Sequence, residues 1–153
     1  MSATPILPAS SSLSSRTGRG ATLARTVHAL VVSPRLEVRK PLVQVLESLS
    51  ADVVTCSTRA QADEVLSHQS FEVVFCDEHL PDGSFADLIH AGHYEQRIPR
   101  VIVATRAGEW EFYFEAMRKG AFDVVRCPWH ATDVEMTVIR AVHEEEAFTG
   151  ELH

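Results

Sequence analysis

Five short valine-rich runs, each followed by a segment with helical periodicity, constrain the fold of this 153-residue chain more than any other feature. The runs are HALVV (28–32), DVVTC (52–56), FEVVFC (71–76), RVIVAT (100–105) and FDVVRC (122–127). Their apolar residues are mostly consecutive rather than alternating, which is typical of strands buried on both faces of a parallel sheet. The strand–helix order therefore predicts a doubly wound α/β fold with a five-stranded parallel sheet and about five helices.

The starts of the helices are marked by potential capping boxes. In a capping box the first side chain accepts a hydrogen bond from the backbone N–H three residues on, and the side chain of that later residue accepts one from the first residue's N–H. Three such pairs are present: Thr58 with Gln61, Ser84 with Asp87, and Thr132 with Glu135. Pro41 lies inside the first helical segment, where it lacks the N–H for a helical hydrogen bond. The first helix is therefore expected to begin late, near Arg39, or to kink.

The fourth helical segment, EWEFYFEAMRKG, is rich in aromatic residues. Four of its apolar residues have the i, i+3, i+4, i+7 spacing of a buried helix face. These are Trp110, Tyr113, Phe114 and Met117. Phe112 then lies off that face, among three glutamates, and an exposed aromatic side chain in an acidic surround indicates a contact surface for a partner.

The distribution of charge and hydropathy excludes two classes of function. The net charge is −7, whereas a nucleic-acid-binding domain would carry a clustered basic surface. A membrane-spanning helix would need about 18 or more consecutive apolar residues, and the sequence has no such run. We therefore expect neither a nucleic acid nor a membrane as a partner.

The first 26 residues differ in composition from the remainder. They are rich in Ser, Thr, Pro and Gly, and they contain Arg16, Arg19 and Arg25 but no acidic residue. They thus carry a net charge of +3. Since the whole chain carries −7, the other residues carry −10. A segment that lacks a periodic apolar face cannot offset its ordering entropy, so residues 1–26 are predicted to be a disordered tail. The domain is placed at 27–147, with a C-terminal tail at 148–153.

The three cysteines, Cys56, Cys76 and Cys127, lack CxxC spacing. An odd number of unpaired cysteines predicts a reducing compartment and hence a cytoplasmic location. A metal or redox site built on Cys76, Cys127 and Asp77 is conceivable, but no ligand spacing supports it. The cysteines are interpreted as small core residues at strand ends.

Three local matches, in the right order, resemble the receiver domain of bacterial response regulators over roughly residues 27–147. FEVVFCDEHLPDG resembles the family's third strand, with Asp77 at the phosphoacceptor position, and RVIVAT resembles the fourth, with Thr105 at the switch hydroxyl. GAFDVVRCPW resembles the Gly-Ala…Lys-Pro-Phe segment around the fifth strand. The resemblance implies a flavodoxin-like fold with strand order 2-1-3-4-5, a site at the carboxyl ends of strands one and three, and a cis Cys127–Pro128 bond.

The sequence departs from the family pattern where Mg²⁺ and a phosphoryl group would be held. Ser33 and Pro34 stand where the resemblance implies an acidic pair, and Cys127 stands at the lysine position. Arg106 follows Thr105, where the family usually has a small residue. Because Mg²⁺ prefers carboxylate oxygens, these changes predict that no metal binds and that Asp77 is a poor phosphoacceptor. Instead, Arg106 is predicted to fill the pocket and pair with Asp77, with Arg126 and Arg35 as alternative sources of positive charge.

These departures lead to two hypotheses of function. The first is a stand-alone degenerate receiver in bacterial two-component phosphorelay signal transduction, without catalytic residues or a cofactor, that acts as a protein-interaction module. Its partner protein, or a second copy in a homodimer, would bind the fourth helix, the fifth strand of the sheet and the fifth helix, near Phe112 and Trp129. The alternative is a functional receiver that a histidine kinase phosphorylates on Asp77 with Mg²⁺.

Overall fold

The computed structural model describes residues 26–92, 100–106 and 108–151. In chain order, its elements are β1 (His28–Val32), α1 (Leu36–Ser48), β2 (Asp52–Cys56), α2 (Arg59–Leu66), β3 (Val73–Asp77), β4 (His79–Leu80), β5 (Gly83–Ser84), α3 (Phe85–Gly92), β6 (Arg100–Thr105), α4 (Trp110–Arg118), β7 (Asp123–Arg126) and α5 (Ala131–Glu151). None of the helices in the described ranges is long and apolar enough to cross a membrane.

Five strands form one parallel sheet in the order β2-β1-β3-β6-β7. Counted among these five strands alone, this is the predicted order 2-1-3-4-5, so the fold prediction is confirmed. The short strands β4 and β5 form an antiparallel hairpin directly after β3. One core cluster lies between the sheet and helices α1 and α5, and a second lies between the opposite face and helices α2, α3 and α4.

The sheet register brings three parts of the predicted site to one edge. Val32, at the end of β1, is paired with Cys76, the residue before Asp77 in β3. Asp77 is in turn paired with Ala104, the residue before Thr105 in β6. Because parallel strands end at the same edge, the segment after β1, the end of β3 and the end of β6 are neighbours.

Helix α1 begins earlier than the sequence predicted. It starts at Leu36 and contains Pro41, so the first of the two predicted alternatives, a late start near Arg39, is wrong. The first turn is held by hydrogen bonds from the N–H groups of Val38 and Arg39 to the carbonyl of Arg35, at 3.1 and 3.0 Å. Val38 is also buried in the core, which stabilises this turn although the proline removes a helical hydrogen bond.

Two of the three predicted capping pairs are present. The Thr58 hydroxyl accepts a hydrogen bond from the Gln61 N–H at 3.1 Å, and the Asp87 carboxylate accepts one from the Ser84 N–H at 3.0 Å. The prediction for α5 is wrong, because that helix starts at Ala131. A different carboxylate caps it: Asp133 accepts a hydrogen bond from the His130 N–H at 3.2 Å.

Helix α4 turns a different face to the core from the one predicted. Ala116 is fully buried, and Phe112 packs against the core with its ring edge-on to Phe85, at 6.3 Å between centroids. Trp110 and Phe114, predicted to be buried, are 71% and 60% exposed. The prediction of an exposed Phe112 is therefore wrong. The small Ala116, four residues after Phe112 on the same face, allows α4 to approach the sheet on that side.

The segment after β7 agrees with the family pattern in its backbone. The Cys127–Pro128 bond is cis, as predicted. Trp129, proposed as part of an interaction face, is only partly exposed and packs against the core cluster under α1 and α5.

The predicted tails are covered only in part by the structure. Residues 1–25 lie outside the described ranges, and so does the prediction that they are disordered. Helix α5 continues to Glu151, into the segment assigned to the C-terminal tail. The domain boundaries at 27 and 147 remain predictions.

Candidate functional site at the carboxyl edge of the sheet

Asp77, the predicted acceptor position, ends β3 and is 2% exposed. Both of its carboxylate oxygens accept hydrogen bonds from side chains that follow β1. Arg35 donates from Nε to Oδ2 at 2.9 Å and from Nη2 to Oδ1 at 2.8 Å. The Ser33 hydroxyl donates to Oδ2 at 2.8 Å. Asp77 therefore lies in a bidentate, charge-assisted ion pair, which is a strong and geometrically specific kind of contact.

The backbone after β1 positions this guanidinium. Ser33 extends the strand by donating its N–H to the carbonyl of Cys56 at 2.9 Å, and its hydroxyl accepts the N–H of Arg35 at 3.1 Å. Arg35 is then the N-cap residue of α1, with extended backbone angles, directly beside the end of β3. The hydrogen bond with Asp77 is the main cause that raises the pKa of the Arg35 guanidinium above its ordinary value, and nearby carboxylates add to the shift.

A second arginine holds the same segment in place. Arg39 donates from Nη1 to the carbonyl of Ser33 at 3.1 Å and to the hydroxyl of Ser57 at 2.9 Å. This ties the segment after β1 to the segment after β2. Sequence reasoning missed Arg39, although its spacing of four residues from Arg35 places both side chains on one side of the helix start.

The prediction that Arg106 pairs with Asp77 is wrong. Arg106 does line the cavity above Asp77, but its guanidinium contacts Glu37 at 2.8 Å, in an ion pair whose side chains are 57% and 59% exposed. Arg106 pairs with Glu37 instead of Asp77 because the first turn of α1 places Arg35 over Asp77 and brings Glu37 within reach of Arg106. Arg126 lines a separate groove beside α4. Of the three arginines proposed from the sequence, Arg35 is therefore the one that supplies the positive charge at Asp77.

The switch-position hydroxyl is bonded to a residue that sequence reasoning did not single out. Thr105 is buried at the end of β6, and its hydroxyl donates to the carboxylate of Glu78. The Glu78 N–H donates to the carbonyl of Ala104 at 3.1 Å, which fixes this residue beside β6. The other Glu78 oxygen lies 3.5 Å from His79 Nε2. The signal available in the sequence was the position of Glu78, immediately after the predicted acceptor.

The cavity above Asp77 has a volume of about 310 Å³. It is lined by Pro34, Arg35, Asp77, Glu78, His79 and Arg106. Cys127, at the lysine position, is not part of this lining. Its thiol is free and the residue is partly exposed, and its backbone N–H donates to the carbonyl of Thr105 at 2.7 Å.

The donor set at this edge does not fit Mg²⁺, which takes oxygen ligands, commonly from one or two carboxylates, in near-octahedral geometry. Ser33 and Pro34 supply no carboxylate at the acidic-pair positions, and both oxygens of Asp77 already accept hydrogen bonds. The guanidinium of Arg35 adds a positive charge where a cation would lie. Within the described ranges, no three His, Cys, Asp or Glu side chains are grouped so as to hold a metal ion.

Comparison with known proteins agrees with this architecture. No family model matches the chain. Among curated proteins, the response regulator protein PilR of Pseudomonas aeruginosa is 31% identical over 102 residues, covering 65% of this chain and 22% of PilR. The chain thus spans about a fifth of the length of the curated relatives it matches.

Solved structures of receiver domains have the same fold. A signal receiver domain of an HD-domain-containing protein from Pseudomonas fluorescens matches with a TM-score of 0.74 and 19% identity, over 86% of this chain and 97% of that chain. The receiver domain of a LuxO repressor protein from Vibrio parahaemolyticus matches with a TM-score of 0.69 and 22% identity, over 80% and 98%. These solved structures show that the chain has the fold of receiver domains, and the PilR similarity supports the predicted resemblance to response-regulator receivers.

Proposed function

We propose that this receiver domain is a pseudo-receiver, a protein-interaction module in two-component phosphorelay signalling that works without phosphorylation of Asp77. The observation that carries the proposal is the bidentate Arg35–Asp77 pair, completed by the Ser33 hydroxyl. In this account the module is not an enzyme and needs neither Mg²⁺ nor another cofactor.

The ion pair opposes the reaction of a carboxylate with a phosphodonor. Attack requires a free carboxylate oxygen and a cation that neutralises the charge developing on the phosphoryl group. Here a donor would first have to displace Arg35, and breaking this partly exposed ion pair costs about 2–4 kcal/mol. Since about 1.4 kcal/mol corresponds to a factor of ten in rate, this barrier alone slows the reaction by roughly thirtyfold or more.

The alternative is a functional receiver that is phosphorylated on Asp77 with Mg²⁺. Two observations favour it: Asp77 and Thr105 occupy neighbouring ends of β3 and β6, and the chain is similar to the response regulator PilR. The Mg²⁺ ligands that it needs beyond Asp77 are not supplied by Ser33 or Pro34.

Labelling of Asp77 separates the two functions. The full chain is incubated with acetyl phosphate or beryllofluoride, with and without Mg²⁺, and examined by intact-protein mass spectrometry and ¹⁹F NMR. Asp77→Asn is the matched control. We expect no adduct, whereas a stoichiometric Mg²⁺-dependent adduct that disappears in Asp77→Asn would establish the alternative.

The partner is proposed to bind the face formed by α4, β7 and α5, either as another protein or as a second copy of this chain. The beryllofluoride-activated NtrC4 receiver domain, 24% identical to this chain with a TM-score of 0.69, is a dimer. In this chain, α4 carries exposed aromatic side chains that suit such a contact. A cytoplasmic location belongs to the same proposal, and the three free cysteines support it.

A further inference from the structure

Helix α4 presents three aromatic rings to solvent, which we call the aromatic patch. Trp110 is 71% exposed, Phe114 60% and Tyr113 36%. The rings of Trp110 and Phe114 are stacked at 5.7 Å between centroids, and Tyr113 meets both edge-on at 6.4 and 5.9 Å. A contiguous exposed group of large apolar side chains marks a binding surface rather than ordinary protein surface.

The aromatic patch borders a groove between α4 and β7, with a volume of about 550 Å³. Trp110 and Tyr113 form one side of it, and Phe112, Val124 and Arg126 also line it. The groove is therefore large enough for a long side chain to lie against the exposed rings.

Carboxylates flank the same rings. Glu109, which lines the groove, and Glu111 are both exposed, and neither has an ion-pair partner among the residues described in the structure. Glu115, in contrast, pairs with Arg118 at 2.6 Å and with Lys119 at 3.7 Å. Arg126 adds one positive charge to the groove, against these two uncompensated glutamates. Aromatic faces beside free carboxylates suit arginine, whose planar guanidinium stacks on rings and hydrogen-bonds to carboxylates.

This chain contains a segment with that chemistry. Residues 1–25 contain Arg16, Arg19 and Arg25 and no acidic residue, so they carry +3. The other residues carry −10. We propose that this N-terminal segment docks on the aromatic patch, with Arg16 and Arg19 against the rings and near Glu109 and Glu111.

The length of the segment permits this contact. In the sheet order, β1 and β7 are three inter-strand spacings apart, and strands lie about 4.8 Å from their neighbours, so the lateral distance is about 15 Å. Crossing the sheet from the start of β1 to its carboxyl edge adds about 17 Å. Arg19 and Arg16 precede His28 by nine and twelve residues, which gives contour lengths of about 30 and 40 Å.

Docking of this segment covers part of the surface proposed for partner proteins. A partner that uses α4 must then displace it, so the segment competes for the interaction face. The inference goes beyond the pseudo-receiver proposal, because it does not involve Asp77. Its test does not depend on whether Asp77 is phosphorylated.

Fluorescence of Trp110 tests the docking in the full chain. Trp129, the other tryptophan, is replaced by phenylalanine, and acrylamide quenching of Trp110 is measured at low and high salt. The key variant is Arg16→Ser/Arg19→Ser. The control is Lys40→Ser, which removes a positive charge from an exposed position of α1, on the opposite face of the sheet from α4. Circular dichroism checks that each variant folds.

We expect the double arginine variant to raise the quenching constant of Trp110 at least twofold, and high salt to produce most of the same change in the parent. Glu109→Gln/Glu111→Gln should have the same effect, whereas Lys40→Ser should have none. Equal quenching in the parent and in both double variants would overturn the proposal. Shielding of Trp110 that persists in the arginine variant and increases with protein concentration would also overturn it, because a second copy would then cover the patch.

Discussion

At the scale of single residues, a buried carboxylate at the end of a strand needs a compensating charge, and at Asp77 that charge comes from Arg35. The pair is shielded because Asp77 is 2% exposed and the Arg35 side chain is 29% exposed. The pair of Arg106 with Glu37 is a matched contrast, since it has the same 2.8 Å contact but lies in solvent. Burial and bidentate geometry, rather than distance, distinguish a contact that shapes the site from one of little consequence.

The residue that supplies the charge was not predictable from spacing alone. The sequence indicated that Asp77 would need a cation and offered three arginines near the strand ends. Choosing among them required the backbone conformation after β1, where the Ser33 hydroxyl accepts the Arg35 N–H and directs the side chain towards β3. Glu78 was missed for a similar reason, because its partner Thr105 is 27 residues away in the chain.

The cysteines give a residue-scale prediction. Burial raises the pKa of the Cys56 and Cys76 thiols, so the reactive thiolate is scarce at both positions. Because a raised pKa lowers the thiolate fraction at any pH below it, Cys56 and Cys76 should resist iodoacetamide at pH 8 while the chain is folded. Cys127 is partly exposed and should be alkylated first.

Peptide mapping by mass spectrometry at successive times measures the order of alkylation. In urea, the three sites should react at similar rates, which serves as the internal control. Alkylation of Cys76 in the folded chain as fast as that of Cys127 would contradict the burial of β3.

At the scale of elements, helix α4 shows where hydrophobic periodicity is ambiguous. Its sequence contains two apolar stripes, and the one with the larger residues was predicted to face the core. The structure buries Phe112 and Ala116 instead and leaves Trp110 and Phe114 exposed. Spacing defines which residues share a face, but the packing of the helix against the sheet selects the face with the small alanine.

Two matched substitutions test the orientation of α4. Phe112→Ala removes a ring that packs on the core and on Phe85, so we expect it to lower the free energy of unfolding by about 2–3 kcal/mol. Phe114→Ala removes a ring of similar size from the exposed face and should change that free energy by less than about 0.5 kcal/mol. Urea denaturation of both variants measures the difference, and the reverse ranking would show that the predicted stripe is the buried one.

At the scale of the whole molecule, the fold was predictable because the strand pattern, the order of the elements and the family resemblance agreed. Consecutive valines indicated the strands, capping residues indicated two helix starts, and the resemblance to receiver domains implied the strand order 2-1-3-4-5. The position of the site followed from that topology, since parallel strands end at one edge. The occupant of the site did not follow, because it depends on side-chain partners brought together from β1, β3 and β6.

The response to Mg²⁺ gives a prediction for the whole molecule. A ligand that binds the folded state raises stability by RT ln(1 + [L]/Kd), so a site with Kd near 0.1 mM would add about 2.7 kcal/mol at 10 mM Mg²⁺. Because the donor set around Asp77 does not fit the ion, we expect 10 mM MgCl₂ to leave Tm within about one degree of a KCl control of equal ionic strength. Differential scanning calorimetry makes the comparison. A rise of several degrees that is absent in Asp77→Asn would mean that Mg²⁺ displaces Arg35.

The central claim, that Arg35 occupies Asp77 in place of a metal, is tested most directly by a double-mutant cycle. The free energy of unfolding is measured by urea denaturation for the parent chain, Arg35→Ala, Asp77→Asn and the double variant, with Arg106→Ala/Glu37→Gln as the exposed control pair. We expect Arg35→Ala to lower the free energy of unfolding by about 2–4 kcal/mol. Asp77→Asn should lower it much less in the Arg35→Ala background than in the parent chain, which corresponds to a coupling energy of about 1.5–3 kcal/mol. The control pair should couple by less than about 1 kcal/mol. A coupling between Arg35 and Asp77 no larger than that of the control pair would contradict the account.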